Sequence, residues 1–193
     1  KGSPDRAVPM AAIAFAAFTA HNLPDGLEPN LEAQYTYDPP NFSWPFGTHM
    51  CVLEVDTETG QIEILKYVAV DDCGVQINPL IVEGQVHGGV IQGLAQALFE
   101  EAVYDTDGNL KTTTLAEYLV PAASDVPSIT TAHTVTPSPT NQLGVKGIGE
   151  AGTIGAASTV INAVVDALSG IGVTSMPMPA SPQTVWRAIQ SAA

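Results

Sequence analysis

Apolar and polar residues alternate with period two over His49 to Asp56 and again over Gln61 to Val70, on either side of Asp56-Thr-Glu-Thr-Gly60. That pattern predicts a β-hairpin. Val160, Ile161, Val164, Val165 and Leu168 recur at helical spacing and predict an amphipathic helix over 156–168. Val8 to Ala20 is small and apolar on most faces, so it predicts a helix packed on several sides, ended by His21-Asn-Leu-Pro-Asp-Gly26. Asn78-Pro79 opens a fourth segment, Leu80 to Ala102, which is helical in period yet carries Gly84, Gly88, Gly89 and Gly93. Each interior glycine costs up to ~1 kcal/mol against alanine. Four in one helix therefore imply close approach by another backbone or by a ligand.

Between these segments the chain is punctuated. Tyr35, Tyr37, Pro39, Pro40, Trp44 and Pro45 mark an irregular connection, and Tyr104 to Asn109 reads as a turn. Strands are expected over Thr112–Val120 and Ile129–Thr136, and Ser181-Pro182 caps and opens a last helix through Ile189. The fold class expected is α/β (α+β), mixed sheet elements with packed helices, in a single domain over 1–193 that is incomplete on its N-terminal side.

Charge narrows the partners. A formal net charge of -14, with only six lysines and arginines, argues against a nucleic-acid or anionic-membrane surface, both of which want clustered cations. Cys51 and Cys73 make no disulfide framework and no paired metal-ligand spacing, and read as free thiols of a reducing, cytoplasmic compartment. The apolar run Met10–Thr19 is shorter than the ~18 residues needed to span a bilayer. No signal peptide is visible and no initiator methionine is present, so the chain reads as a piece of something longer.

Residues 144–155, Gly-Val-Lys-Gly-Ile-Gly-Glu-Ala-Gly-Thr-Ile-Gly, carry the densest chemistry. Five glycines surround one carboxylate, Glu150, just before the predicted helix. Glycine lets backbone approach a ligand closely. Glu150 could serve as a general base or be an exposed acid favoured by the helix dipole. Lys146, four residues earlier, could pair with Glu150, meet a ligand phosphate or face water. A second segment, Val70 to Pro79, offers a strand end, a glycine and a helix start, with Asp72, Cys73, Gln76 and Asn78 as donors and acceptors; it suits an anion or heterocycle, or an ordinary connection capped by Asn78. In the third, Glu83 to Gly93, Gln85 together with Gln92 and Gln96 needs partners if buried, while His87 alone reads as structural rather than as a metal ligand. No phosphate-binding G-x-x-x-x-G-K-[ST] is present. Gly-Ile-Gly-Glu-Ala-Gly at 147–152 matches a dinucleotide fingerprint only formally, because its lead-in is Pro-rich and no acidic partner follows at the expected distance.

Taken together, Val-Asp-Asp-Cys-Gly…Asn-Pro, Glu-Gly-Gln-Val-His-Gly-Gly…Gln-Gly and Gly-Val-Lys-Gly-Ile-Gly-Glu-Ala-Gly-Thr-Ile-Gly-Ala resemble the C-terminal part of the large, molybdopterin-binding subunit of the molybdenum hydroxylases. The order of the motifs, the Leu-Glu-Val-Asp…Thr-Gly hairpin and Glu-Glu-Ala-Val-Tyr-Asp-Thr-Asp-Gly match as well, so the resemblance covers nearly the whole chain. The family includes xanthine dehydrogenase, aldehyde oxidase and aerobic carbon monoxide dehydrogenase, and residues 68–93 are most like the last.

The resemblance implies an oxidoreductase segment that supplies Glu150 as the active-site base beside molybdenum. It implies a molybdopterin cytosine dinucleotide cofactor, with copper beside molybdenum in the carbon monoxide type. Asp72, Cys73, Gln76, Asn78, Gln85, Lys146, Gly147 and Gly149 would belong to the cofactor pocket. No residue here would ligate the metal, which the pterin dithiolene holds. Electrons would leave through iron–sulfur clusters on a small subunit and FAD on a medium subunit, in a dimer of heterotrimers with a second large subunit. The substrate would be a small molecule: carbon monoxide, or an aldehyde, a purine or another N-heterocycle. The family's subunit is several times longer, and the loop that holds copper is missing here. The isolated polypeptide is therefore expected to be inactive and metal-free. A scaffold or assembly module that kept the fold and lost activity is the alternative of another class.

Overall fold

The computed structural model describes residues 4–192. The chain divides into two compact units, Lys1–Asp38 and Pro39–Ala193.

The first unit holds one helix, α1 (Met10–Thr19), closed by Ala20 in the left-handed region at φ 58°. The expected packing on several sides is not found. Met10, Ile13, Phe15 and Phe18 are exposed and only Ala17 is buried. Residues 20–38, which follow the helix, form no regular element.

In the second unit the hairpin forms as its alternation predicts, β1 (Phe46–Val55) against β2 (Ile62–Asp72), antiparallel. Its register slips between Val52, opposite Lys66, and Leu53, opposite Ile64, which leaves Leu65 as an unpaired, exposed bulge residue. The bulge resets the two-residue period. Ile62 and Ile64 before it, and Tyr67, Ala69 and Asp71 after it, therefore all turn inward. β3 (Ile129–His133) pairs parallel to β2 on its other edge, giving the order β1-β2-β3. The strand expected over Thr112–Val120 is absent. Glu117 accepts bonds from the Thr113 amide and from the Thr113 and Thr114 hydroxyls, and Tyr118 N–H donates to the Thr114 carbonyl. These local bonds build a turn in place of a ladder.

Helix α2 (Pro79–Leu98) starts where Asn78 accepts from the Ile81 amide, and stops four residues short of the expected end. Helix α3 (Ala151–Leu168) starts five residues before the expected 156, so Gly152 and Gly155 are helical. It packs along α2 and over β1. By length and composition alone, Ala151–Ile171 is apolar enough to cross a membrane. Two cores share α3. Ala156 and Val160 join Tyr67, Ala69, Val86 and Val90, whereas Val164 and Leu168 join Val173, Met176, Val185 and Ile189. The last two belong to α4 (Pro182–Ala192), whose first amides include Thr184 N–H bonded to Ser181.

The glycines of α2 fall into two kinds. A Cβ on Gly89 would lie 2.8 Å from the Thr153 nitrogen, and one on Gly93 would lie 2.6 Å from the Ala156 Cβ, so these two let α3 come close. Gly84 and Gly88 face open space.

Candidate functional site

The end of β2 meets the glycine loop backbone to backbone. Gly74, at φ +67°, bridges Val145; a Cβ there would meet the Gly144 carbonyl oxygen at 2.1 Å. Val75 N–H donates to the Gly144 carbonyl at 3.0 Å and Lys146 N–H to the Cys73 carbonyl at 2.8 Å. Asn141 grips Val145 from both sides, donating to its carbonyl at 2.9 Å and accepting from its amide at 3.0 Å.

Asp72 sits behind this crossing, wholly buried. Its Oδ1 accepts from the Gly74 amide at 2.9 Å and from Lys146 Nζ at 3.0 Å, and its Oδ2 from the Thr134 hydroxyl at 2.8 Å. Burial pushes this carboxyl's pKa up, but the bonds from Gly74, Thr134, Thr136 and Lys146 outweigh it and hold the group well below the usual carboxylate range. Lys146 also lies 4.6 Å above the Phe46 ring centroid. The partner of Lys146 within the protein is Asp72, not Glu150, and at 8% side-chain exposure the lysine does not face water. A lowered folded pKa gives stability that is present above the unfolded value, about 3.9, and lost as pH falls toward the folded one. Asp72→Asn is therefore expected to lower the thermal inactivation temperature near neutral pH, with the gap to wild type narrowing below about pH 4. A gap constant with pH would show that the charge contributes nothing.

Beyond Lys146 the loop opens. Cβ atoms on Gly147 and Gly149 would meet nothing within 4 Å, and the amides from Gly147 to Glu150 donate to no acceptor among the described residues. Glu150 is exposed at the N-cap of α3. Its carbonyl accepts from Thr153 and Ile154 N–H, while its carboxylate makes no capping bond and no ion pair among the described residues. Chemically, a lone carboxylate can exchange a proton and free amides can donate to an anion.

The other expected residues lie at and beyond this crossing. Cys73 is buried, its thiol pushed up chiefly by burial. Gln76 lines a cleft of about 250 Å³ with Asp71, Glu83, Val86, Thr131 and His133. Asn78 serves as a helix cap, and Gln85, Gln92 and Gln96 are all exposed, so none requires a buried partner. Both thiols are free, as expected.

Sequence reasoning passed over a buried polar string. His49 Nδ1 lies 2.9 Å from the Tyr67 hydroxyl, and its Nε2 lies 3.5 Å from Asp71 Oδ1. Asp71 Oδ2 has no partner among the described residues. The signal was the inward phase of β2, which carries Tyr67 and Asp71 on the face that β1 opposes with His49.

Comparison with known proteins adds the context. A family model described as a molybdopterin cofactor-binding domain matches residues 1–127. The carbon monoxide dehydrogenase large chain of Hydrogenophaga pseudoflava is 44% identical over 98% of this chain and 23% of its own length. The nicotine 6-hydroxylase large subunit of Paenarthrobacter nicotinovorans is 42% identical over 97% and 23%. A solved Cu,Mo-CO dehydrogenase in its carbon monoxide reduced state superposes with a TM-score of 0.89 at 38% identity, over 100% of this chain and 24% of that one. The chain thus spans about a quarter of the length of these relatives. Its open loop fits such a group on the chemistry of its donors: consecutive free amides at a helix start, uncovered by side chains, suit an oxygen-rich anion. Among the described residues no group of three or more His, Cys, Asp or Glu side chains could hold a metal ion. The chain belongs to the molybdopterin cofactor-binding family of the molybdenum hydroxylases, and is similar there to a segment of the carbon monoxide dehydrogenase large chain.

Proposed function

We propose that this chain is the segment of a molybdenum-dependent dehydrogenase large subunit that supplies its active-site base, Glu150, and one wall of a molybdopterin cytosine dinucleotide pocket. The observation that carries the reading is the lone, exposed carboxylate at the end of a loop whose amides are free. The bound group supplies the metal that accepts the substrate's electrons. Glu150 takes a proton at its carboxylate. The amides of Gly147 and Gly149 donate to the anionic part of the cofactor. Gln76, Asn78 and Gln85, with the backbone near Cys73, Asp72 and Lys146, complete that wall.

The reaction is of the carbon monoxide dehydrogenase type, with copper next to molybdenum, in a cytoplasmic complex with FAD-binding and iron–sulfur subunits and a second large subunit. A specific observation keeps a second substrate class in view: the nicotine hydroxylase subunit is nearly as similar, at 42% against 44%. Assembly of the complete subunit with its partners, followed by metal analysis and dye-linked oxidation assays, tests both readings. Carbon monoxide oxidation supports the first, and oxidation of an N-heterocycle alone moves the substrate to the second. A folded complex that loads no molybdenum and oxidises neither sinks the proposal in favour of a scaffold. The 193-residue chain alone is expected to purify without molybdenum, which elemental analysis checks.

A further inference from the structure

The buried ion pair behind the glycine loop has no part in the proton transfer, yet the structure places it with care. Asp72 is 0% exposed, and its bonds run to Gly74, Lys146, Thr134 and Thr136. The Lys146 side chain is 8% exposed and lies over Phe46. Neither charged group reaches the open face where Gly147 and Gly149 lie. On the far side of those glycines the loop is held again: a Cβ on Gly152 would lie 2.5 Å from the Val86 carbonyl oxygen, so the start of α3 is fixed against α2. Glu150 therefore stands between two anchors. Only residues 147–149 separate it from the first, and two of these are glycines, which restrict the backbone least.

We infer that Asp72 and Lys146 are positioning residues: their pair sets where the glycine loop leaves the end of β2, and so where the Glu150 carboxylate stands, rather than touching the cofactor. This rests on the reading of Glu150 as the base. Displacing a reacting group by about 1 Å costs on the order of 100-fold in rate. Removing one partner leaves a buried charge uncompensated, which detaches the crossing; neutralising both removes that penalty.

The test uses the full-length subunit in its assembled holoenzyme, with Lys146→Met, Asp72→Asn and the double variant. Hydrogen exchange reports the amides bonded across the junction, those of Val75 and Lys146. Each single variant is expected to exchange there at least about 10-fold faster and to lose about 100-fold in kcat per bound molybdenum. KM and cofactor content stay at wild-type values, and the double variant recovers much of both losses. Should the single variants fail to assemble, Phe46→Leu, which removes only the ring beneath Nζ, is expected to show the same exchange change at smaller size. Wild-type exchange at the junction overturns the inference. So does a lowered cofactor content with kcat per bound molybdenum intact, which would make Lys146 a cofactor contact. Glu150→Gln run alongside separates the two ideas: if it keeps its rate the base reading fails, while the exchange data still decide the pin.

Discussion

A full-length subunit carrying Glu150→Gln is expected to bind molybdenum as the wild type does and to turn over about 1,000-fold more slowly per bound metal. The substitution keeps shape and hydrogen-bonding reach while removing the ability to take a proton. Stability gives no competing explanation, because the carboxylate makes no capping bond or ion pair among the described residues and stands in solvent. Glu150→Asp keeps the acid but withdraws it by one methylene, and a smaller loss, about 100-fold, is expected from misplacement alone. Steady-state rates normalised to molybdenum, across pH, decide the matter. A glutamine variant with an undiminished rate would remove Glu150 from the reaction.

Gly152→Val is expected to give the largest structural effect. Gly152 is buried where α3 crosses α2, and a Cβ there would stand 2.5 Å from the Val86 carbonyl oxygen and 3.0 Å from the Val90 nitrogen. These are backbone atoms of a helix and cannot swing aside. Overpacking of this kind costs about 3 kcal/mol or more, and soluble yield and thermal inactivation temperature of the full-length subunit should both fall. Gly84→Ala is the control. Nothing lies within 4 Å of a Cβ at that position, and the helix gains up to about 1 kcal/mol in propensity. Equal behaviour of the two variants would show that the close crossing does not govern stability.

The hairpin and the later helices were legible in the sequence because their periodicity reflects which face is buried, and burial is what stabilises them. Legibility ended where local side-chain bonds compete with the ladder, as at Glu117, and where a helix starts on glycine because its neighbour leaves no room, as at Gly152. Of four helix glycines read as signs of close approach by backbone or ligand, Gly89 and Gly93 admit the backbone of α3, whereas Gly84 and Gly88 have no protein atom near. Within the site, Glu150 stood out by being the one acid among glycines. The pairing of Lys146 with Asp72 did not, because it joins positions 74 residues apart, and spacing along the chain says nothing about such a contact.

That separation bears on how the protein comes to be made. Asp72 leaves the ribosome 74 residues ahead of its lysine, so the hairpin and α2 are complete while the carboxylate still lacks its cation. Synthesis proceeds at about 5–20 residues per second, which leaves this strand end without its cover for several seconds. The open interval ends only when Lys146 and the start of α3 emerge. A nascent chain paused within it would present the uncovered end of β2 to chaperones.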